Sequence, residues 1–270
     1  AFLGSHRLEL QREPATGDQS LNNFYQTAQQ LKAAGQTQGG AMASFVAVGD
    51  IMLSRNVAGQ IAKNGKDPNY PFRKLNDLLN NSAADSTTNL TAATDFNFGN
   101  LESPFSGKDD YNPSGSLVFN APTWTFNGLV KNNFKVLNLA NNHGFDQGLK
   151  GLLFTKKLLD DNSILPLGVG NNLDEAWDGK VYTSKGIRIG FIGASFSTLN
   201  DGGKALNDNV ARIENTKRLV QSINDLKTRS DFIVVTMHAG TEYTRSPNKS
   251  QTDFAHAAID AGADIIIGAH

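Results

Sequence analysis

The sequence predicts an α/β protein built on largely buried sheets, and three observations lead there. Short apolar runs with β-branched residues alternate with segments of helical periodicity along most of the 270 residues. The apolar runs are short and continuous, as expected of strands covered on both faces. Polar residues of metal-binding type follow directly on several of them, the place where open α/β sheets hold their ligands.

Taken in order, residues 1–43 read as a tail, a helix over Ser20–Ala34 with Leu21, Phe24, Ala28 and Leu31 on one face, and a Gly/Gln linker. The domain proper runs from 44 to 270. Its first strand is Ser44–Val48, read as buried and ending in Gly49-Asp50. Five basic residues against one acidic then fall between Arg55 and Lys74, either a solvated helical face or an anion-receiving rim beside Asp50. Pro71–Leu79 reads as a helix with proline in its first turn. Thr94–Leu101 alternates like a strand and delivers Glu102, and Leu117–Phe119 reads as an edge strand. A helix opened by Pro122 spans Ala121–Lys131. Val136–Ala140 is a buried strand that presents Asn141, Asn142, His143 and Asp146. An amphipathic helix over Leu149–Leu159 and a short strand at Ile164–Leu167 follow. Val181–Thr183 and Ile187–Ile192 form a hairpin around Ser184-Lys185-Gly186. Ser197–Asn209 is a polar loop placed to cover a site, followed by a helix over Val210–Leu226. Phe232–Thr236 presents His238, and a helix over Gln251–Ala261 leads to Ile265–Ile267 and His270.

Composition narrows the function. A formal charge of -1 supplies no global field for nucleic acid or acidic lipid, and nucleic acid is not an expected partner. The absence of cysteine excludes disulfides, thiolate metal sites and cysteine nucleophiles. No apolar run approaches the roughly 20 residues that span a bilayer, so an anchor or signal is expected to lie outside this sequence.

Asp50, Glu102, Asn142 with His143, His238 and His270 each follow a predicted strand. Three of the five histidines in the chain stand in such positions, whereas His256 lies in a helix and His6 in the tail. Strands of one sheet region can bring these ends together. Two carboxylates, an amide oxygen and imidazoles form an N/O ligand set suited to Zn, Mn or Fe(II).

Gly49–Arg55, Asn100-Leu101-Glu102, Asn138–Gly148, Met237–Tyr243 and Ala261–His270 together resemble the bacterial capsule-synthesis protein CapA family, in order and spacing, over residues 44–270. The resemblance implies a calcineurin-like metallophosphoesterase α/β sandwich, two sheets flanked by helices, stopping short on its C-terminal side. It also implies roles residue by residue. Asp50 is the first-metal carboxylate and Glu102 the bridging one, while Asn142, His238 and His270 hold the second metal. His143 and Arg55 are catalytic, the former towards the leaving oxygen. Arg55, Asn141, Asp146 and Glu242 contact substrate or support those that do. Two departures bear on this. The position two after the first Asp is Met52 where metallophosphoesterases carry His, and the second His expected after His270 is not in this sequence. One metal, or none, is therefore an expectation beside the full pair.

The process implied is capsular poly-γ-glutamate synthesis or export, at an extracytoplasmic, membrane-anchored location. The implied partners are the anionic polymer or a phosphorylated small molecule, together with membrane-bound capsule synthesis components. Three readings stay open at this stage: a metal-dependent phosphoesterase or γ-glutamyl amide hydrolase, a non-catalytic polymer handler, and a structural domain with a vestigial site.

Overall fold

The computed structural model describes residues 42–75, 94–110, 117–196 and 208–270. The predicted helix at 20–34, the end of the predicted helix at 71–79 and all but the last residues of the loop at 197–209 lie outside them. The contact pattern separates residues 1–42 from a unit spanning 43–270, and the latter carries everything below.

Two four-stranded sheets make up this unit. The first has the order β1 (Phe45–Ile51), β2 (Phe96–Leu101), β3 (Phe134–Asn138), β4 (Leu165–Leu167), all parallel. The second has the order β5 (Lys180–Ser184), β6 (Ile187–Ser195), β7 (Phe232–His238), β8 (Ile265–Ala269), parallel except for the β5–β6 hairpin. The hairpin turns through Lys185 and Gly186, both at positive φ (50° and 83°), the geometry of a two-residue hairpin loop. Pro166 is tolerated within β4 because that strand is an edge and needs one fewer donor.

The sheets pack face to face through an aromatic layer. Phe96 and Phe98 of β2 and Val136 of β3 meet Ile189 and Phe191 of β6 and Val234 of β7. Phe98 stacks on Phe191 at 6.1 Å between ring centroids, and Phe96 meets Tyr182 of β5 at 4.5 Å. Alternate residues face outward to the helices. Leu101 and Leu137 join the cluster around α1 (Arg55–Lys63), α2 (Asn127–Lys131) and α3 (Gly148–Asp161). Ile233, Val235 and Met237 pack with α4 (Leu173–Trp177), α5 (Thr216–Arg229) and α6 (Lys249–Ala261). The result is a helix–sheet–sheet–helix sandwich, the α/β class expected.

Four local expectations need correction. Strand β1 is half exposed rather than buried, because it forms an edge of its sheet. Leu117–Phe119 is not a strand; the Phe119 amide donates to the Asp146 carboxylate at 2.6 Å instead of to a ladder. The helix at 121–131 is a 3₁₀ turn at Thr123–Phe126 followed by α2, with Pro122 at the cap position. The helix expected from Val210 starts at Thr216. Val210 and Arg212 are held in bridges to Val169 and Ser195, and the Asn215 side chain caps the helix by accepting from the Arg218 amide.

Candidate metal centre

Along β2, β3 and β7 the residues between the sheets run Phe96-Phe98-Asn100, Val136-Asn138 and Val234-Thr236-His238. Apolar side chains thus fill the interior, and each series ends in a polar residue at the carboxyl end of its strand. The candidate centre is the polar cap on this aromatic layer.

Asp50 joins it through a break in pairing. Ala47 pairs with Phe98 and Asp50 with Asn100, so β1 spends three residues where β2 spends two. Without that break, strict alternation would turn Asp50, three residues after Ala47, towards the helices. With it, the Asp50 carboxylate accepts from Asn100 Nδ2 at 2.7 Å and lies 3.4 Å from His238 Nδ1.

His238 is the hub, with 0% of its surface exposed. Its Nε2 is 2.7 Å from Asn142 Oδ1, 3.0 Å from His270 Nδ1 and 3.5 Å from Glu102 Oε1. Its Nδ1 lies 3.1 Å from Asn100 Nδ2. Glu102, His238 and His270 each place a ligand-type atom within 4.8 Å of the others. All five residues predicted as metal ligands therefore converge. Asp50, Glu102 and Asn142 come from the first sheet's strand ends, and His238 and His270 from the second's.

The electrostatics suit a cation. Burial pushes the Glu102 carboxyl up to about 8, helped by the like charges of Asp50 and Glu242. Burial would raise Asp50 as well, but the hydrogen bond and charge of His238 and the Asn100 amide hold it below the usual value. His270 is lowered by burial and then by the neighbouring charge of His238. A buried carboxyl crowded by like charge, beside two imidazole nitrogens and an amide oxygen, is a hard-to-borderline donor set that a divalent cation would relieve. The residues fit the implied metal. Met52 does not join them; its sulfur accepts from the Ser54 amide at 3.3 Å.

A second layer adjoins the cluster. His143 Nε2 is 3.9 Å from Glu102 Oε1, and its Nδ1 is 2.7 Å from Asp146 Oδ2. A carboxylate only accepts, so Nδ1 carries the proton and Nε2 faces the cluster. Asn141 uses its side chain on the scaffold, donating to the Leu101 carbonyl at 2.9 Å and accepting from the His143 amide at 3.1 Å. Arg55 begins α1 at a positive φ of 54°, and its Nε is buried without a partner. Its guanidinium lies 5.5 Å over the Phe119 ring, which stacks on His143 at 3.7 Å and 14°. Glu242 stands on the exposed loop after β7 and reaches Glu102 and His270 by charge. Of the other cations in the 55–74 stretch, Arg73 pairs with Asp67 at 2.9 Å and Lys66 lies over Trp124, as a solvated face would. The side chain of Lys74 is outside the described residues.

Asn100 and Phe119 were not among the predicted site residues. Asn100 stands two positions before Glu102 on β2, and strand alternation from Phe96 and Phe98 is the signal that aims it between the sheets. Nothing local marks Phe119, because its role depends on what folds against it.

Comparison with known proteins places these residues in context. Residues 44–270 match the family model described as bacterial capsule synthesis protein PGA_cap. The chain is 30% identical over 234 residues to the capsule biosynthesis protein CapA of Bacillus anthracis, covering 83% of this chain and 53% of that protein. It is 29% identical over 232 residues to the PGA biosynthesis protein CapA of Bacillus subtilis (strain 168), covering 84% and 56%. The chain thus spans about half the length of the curated relatives it matches. Among solved structures, the NAD nucleotidase of Haemophilus influenzae aligns with a TM-score of 0.38 at 17% identity, over 64% of this chain and 29% of that one, a likeness too slight to argue from.

Proposed function

We propose, from the premise that this chain belongs to the bacterial capsule synthesis protein family PGA_cap, that its centre is a divalent-metal site for phosphoester hydrolysis serving capsular poly-γ-glutamate production. The observation that carries this is the convergence of Glu102, His238 and His270 within 4.8 Å, with Asn142 on the same His238 nitrogen. Asp50, Glu102, Asn142, His238 and His270 would hold Mn, Zn or Fe. Such an ion supplies Lewis acidity and a hydrolytic water at neutral pH. His143, oriented by Asp146, would give a proton to a leaving oxygen from Nε2 in its doubly protonated form, the Nδ1 proton staying hydrogen-bonded to Asp146, because its Nε2 faces the cluster. Arg55 orients an anionic group, having a buried Nε that lacks a partner. The process belongs on the extracytoplasmic face with membrane-bound partners, a placement supported only by the capsule biosynthesis names of the relatives. Among the described residues no helix is long and apolar enough to cross a membrane.

The test is metal content by mass spectrometry after loading with Mn or Zn, paired with hydrolysis of a chromogenic phosphomonoester. Wild type is expected to retain metal and Glu102→Ala to lose it. His143→Ala should keep the metal and lower turnover by about 10²–10⁴-fold. Absence of metal in loaded wild type would sink the metal centre. A second reading, polymer holding without turnover, draws on Met52 occupying the position of a usual ligand. Binding of poly-γ-glutamate that survives chelation and depends on Arg55 would favour it.

A further inference from the structure

A cleft of about 260 Å³ opens beside the centre, between the loop after β7 and the end of β8. Thr241, Ser246, Arg245 and Gln251 line it with Thr244, whose hydroxyl donates to the Thr241 carbonyl at 2.7 Å; His270 forms the wall shared with the metal cluster. Gln251 is already occupied, donating to the Ala239 carbonyl at 2.7 Å and accepting from the Asn248 amide at 2.8 Å, so it builds the cleft rather than binding in it. Arg245 is different. It is exposed and forms no ion pair with any described residue, whereas Lys249, four residues on, pairs with Asp253.

The loop is also shaped unusually. Gly240 sits at φ 135° and Tyr243 at φ 61°, a left-handed conformation that a bulky residue adopts only under constraint. Tyr243 itself is fully exposed at 102% and is not part of the cleft wall. An uncompensated guanidinium with hydroxyl-bearing neighbours is a setting that takes an anionic oxygen cluster. The volume is below that of pockets for drug-sized ligands and suits one acidic unit.

We propose that this cleft is a subsite for a carboxylate- or phosphate-bearing unit of the ligand whose reacting group lies at the metal cluster, with Arg245 as its specificity-determining residue. The inference rests on the hydrolytic reading for the second half of that statement, while anion capture by the cleft is measured by itself.

The experiment is calorimetric titration of the Mn-loaded chain with tri-γ-glutamate and, separately, inorganic phosphate, in wild type, Arg245→Gln, Arg245→Lys and Glu102→Gln. Metal content is measured on every sample. Arg245 is exposed, so its replacement leaves the fold intact. Tri-γ-glutamate is expected to bind about tenfold more weakly to Arg245→Gln at unchanged metal content, with partial recovery in Arg245→Lys. If phosphate alone shows that dependence, the cleft is a phosphate subsite; if the oligomer does, a carboxylate subsite. Binding that responds to Glu102→Gln and not to Arg245→Gln, or no binding of either probe to wild type, overturns the proposal. Loss of metal in wild type with Arg245-dependent oligomer binding retained would instead remove the hydrolytic reading and leave anion capture standing.

Discussion

At the scale of single residues, Glu102 ties the chemistry of the centre to the stability of the metal-free protein. Its carboxyl titrates at about 8 folded and near 4.5 when unfolded. The folded state therefore holds the extra proton throughout that window, and stability falls as pH rises from about 4.5 to about 8. Thermal melts of metal-free protein should show this decline, and Glu102→Gln should flatten it. Asp50 works with the opposite sign: its lowered value contributes stability above the ordinary 3.8 that is lost on acidification. Metal must displace the Glu102 proton, so apparent affinity should climb with pH and level off near 8. A pH-independent affinity over that range would contradict the assignment of Glu102 as a ligand. Phe119 shows how much one residue outside the motifs can hold. Its ring lies against His143, its amide fixes Asp146, and its carbonyl accepts from Gln147 at 2.8 Å.

At the scale of elements, the break in pairing along β1 is what lets Asp50, three residues after Ala47, reach the centre. Removing Gly49 would leave Asp50 two residues after Ala47, in step with Phe98 and Asn100, so a regular strand should keep Asp50 between the sheets. Metal content should match wild type, with circular dichroism as the check on folding, and loss of metal from a folded deletion variant would refute this account of the bulge. This irregularity also marks where sequence legibility ends. Apolar runs announced every strand that carries a predicted ligand, and the polar residue after each run was readable as a candidate. The face each ligand takes was not readable, since it depends on pairing between strands distant in sequence. The start of α5 was missed for a related reason. Val210, Ala211 and Ile213 look helical in composition, yet all are buried, and Val210 and Arg212 are held by bridges to Val169 and Ser195. Phe119 was misread as strand because its apolar neighbours, Leu117 and Val118, carry the same local pattern as an edge strand.

At the scale of the whole molecule, the two sheets meet closely enough that a single methyl group matters. A Cβ on Gly193 of β6 would fall 2.2 Å from Asn138 Oδ1 of β3. Asn138 in turn donates to Asn100 Oδ1 at 2.9 Å, one hydrogen bond from His238. Gly193→Ala is expected to cost about 1–3 kcal/mol through overpacking. It should lower the melting temperature by several degrees and weaken metal binding without touching a ligand. An unchanged melting temperature would mean that the sheets separate more easily than their packing indicates. The hydrogen bond between Asn142 and His238 and the one between Asn100 and His238 both cross from one sheet to the other. A cation held by Glu102 and His238 is consequently a clasp on the sandwich. Its binding constant gauges how well the two halves are docked, and substitutions buried deep in the aromatic layer would announce themselves first as a change in the metal the protein keeps.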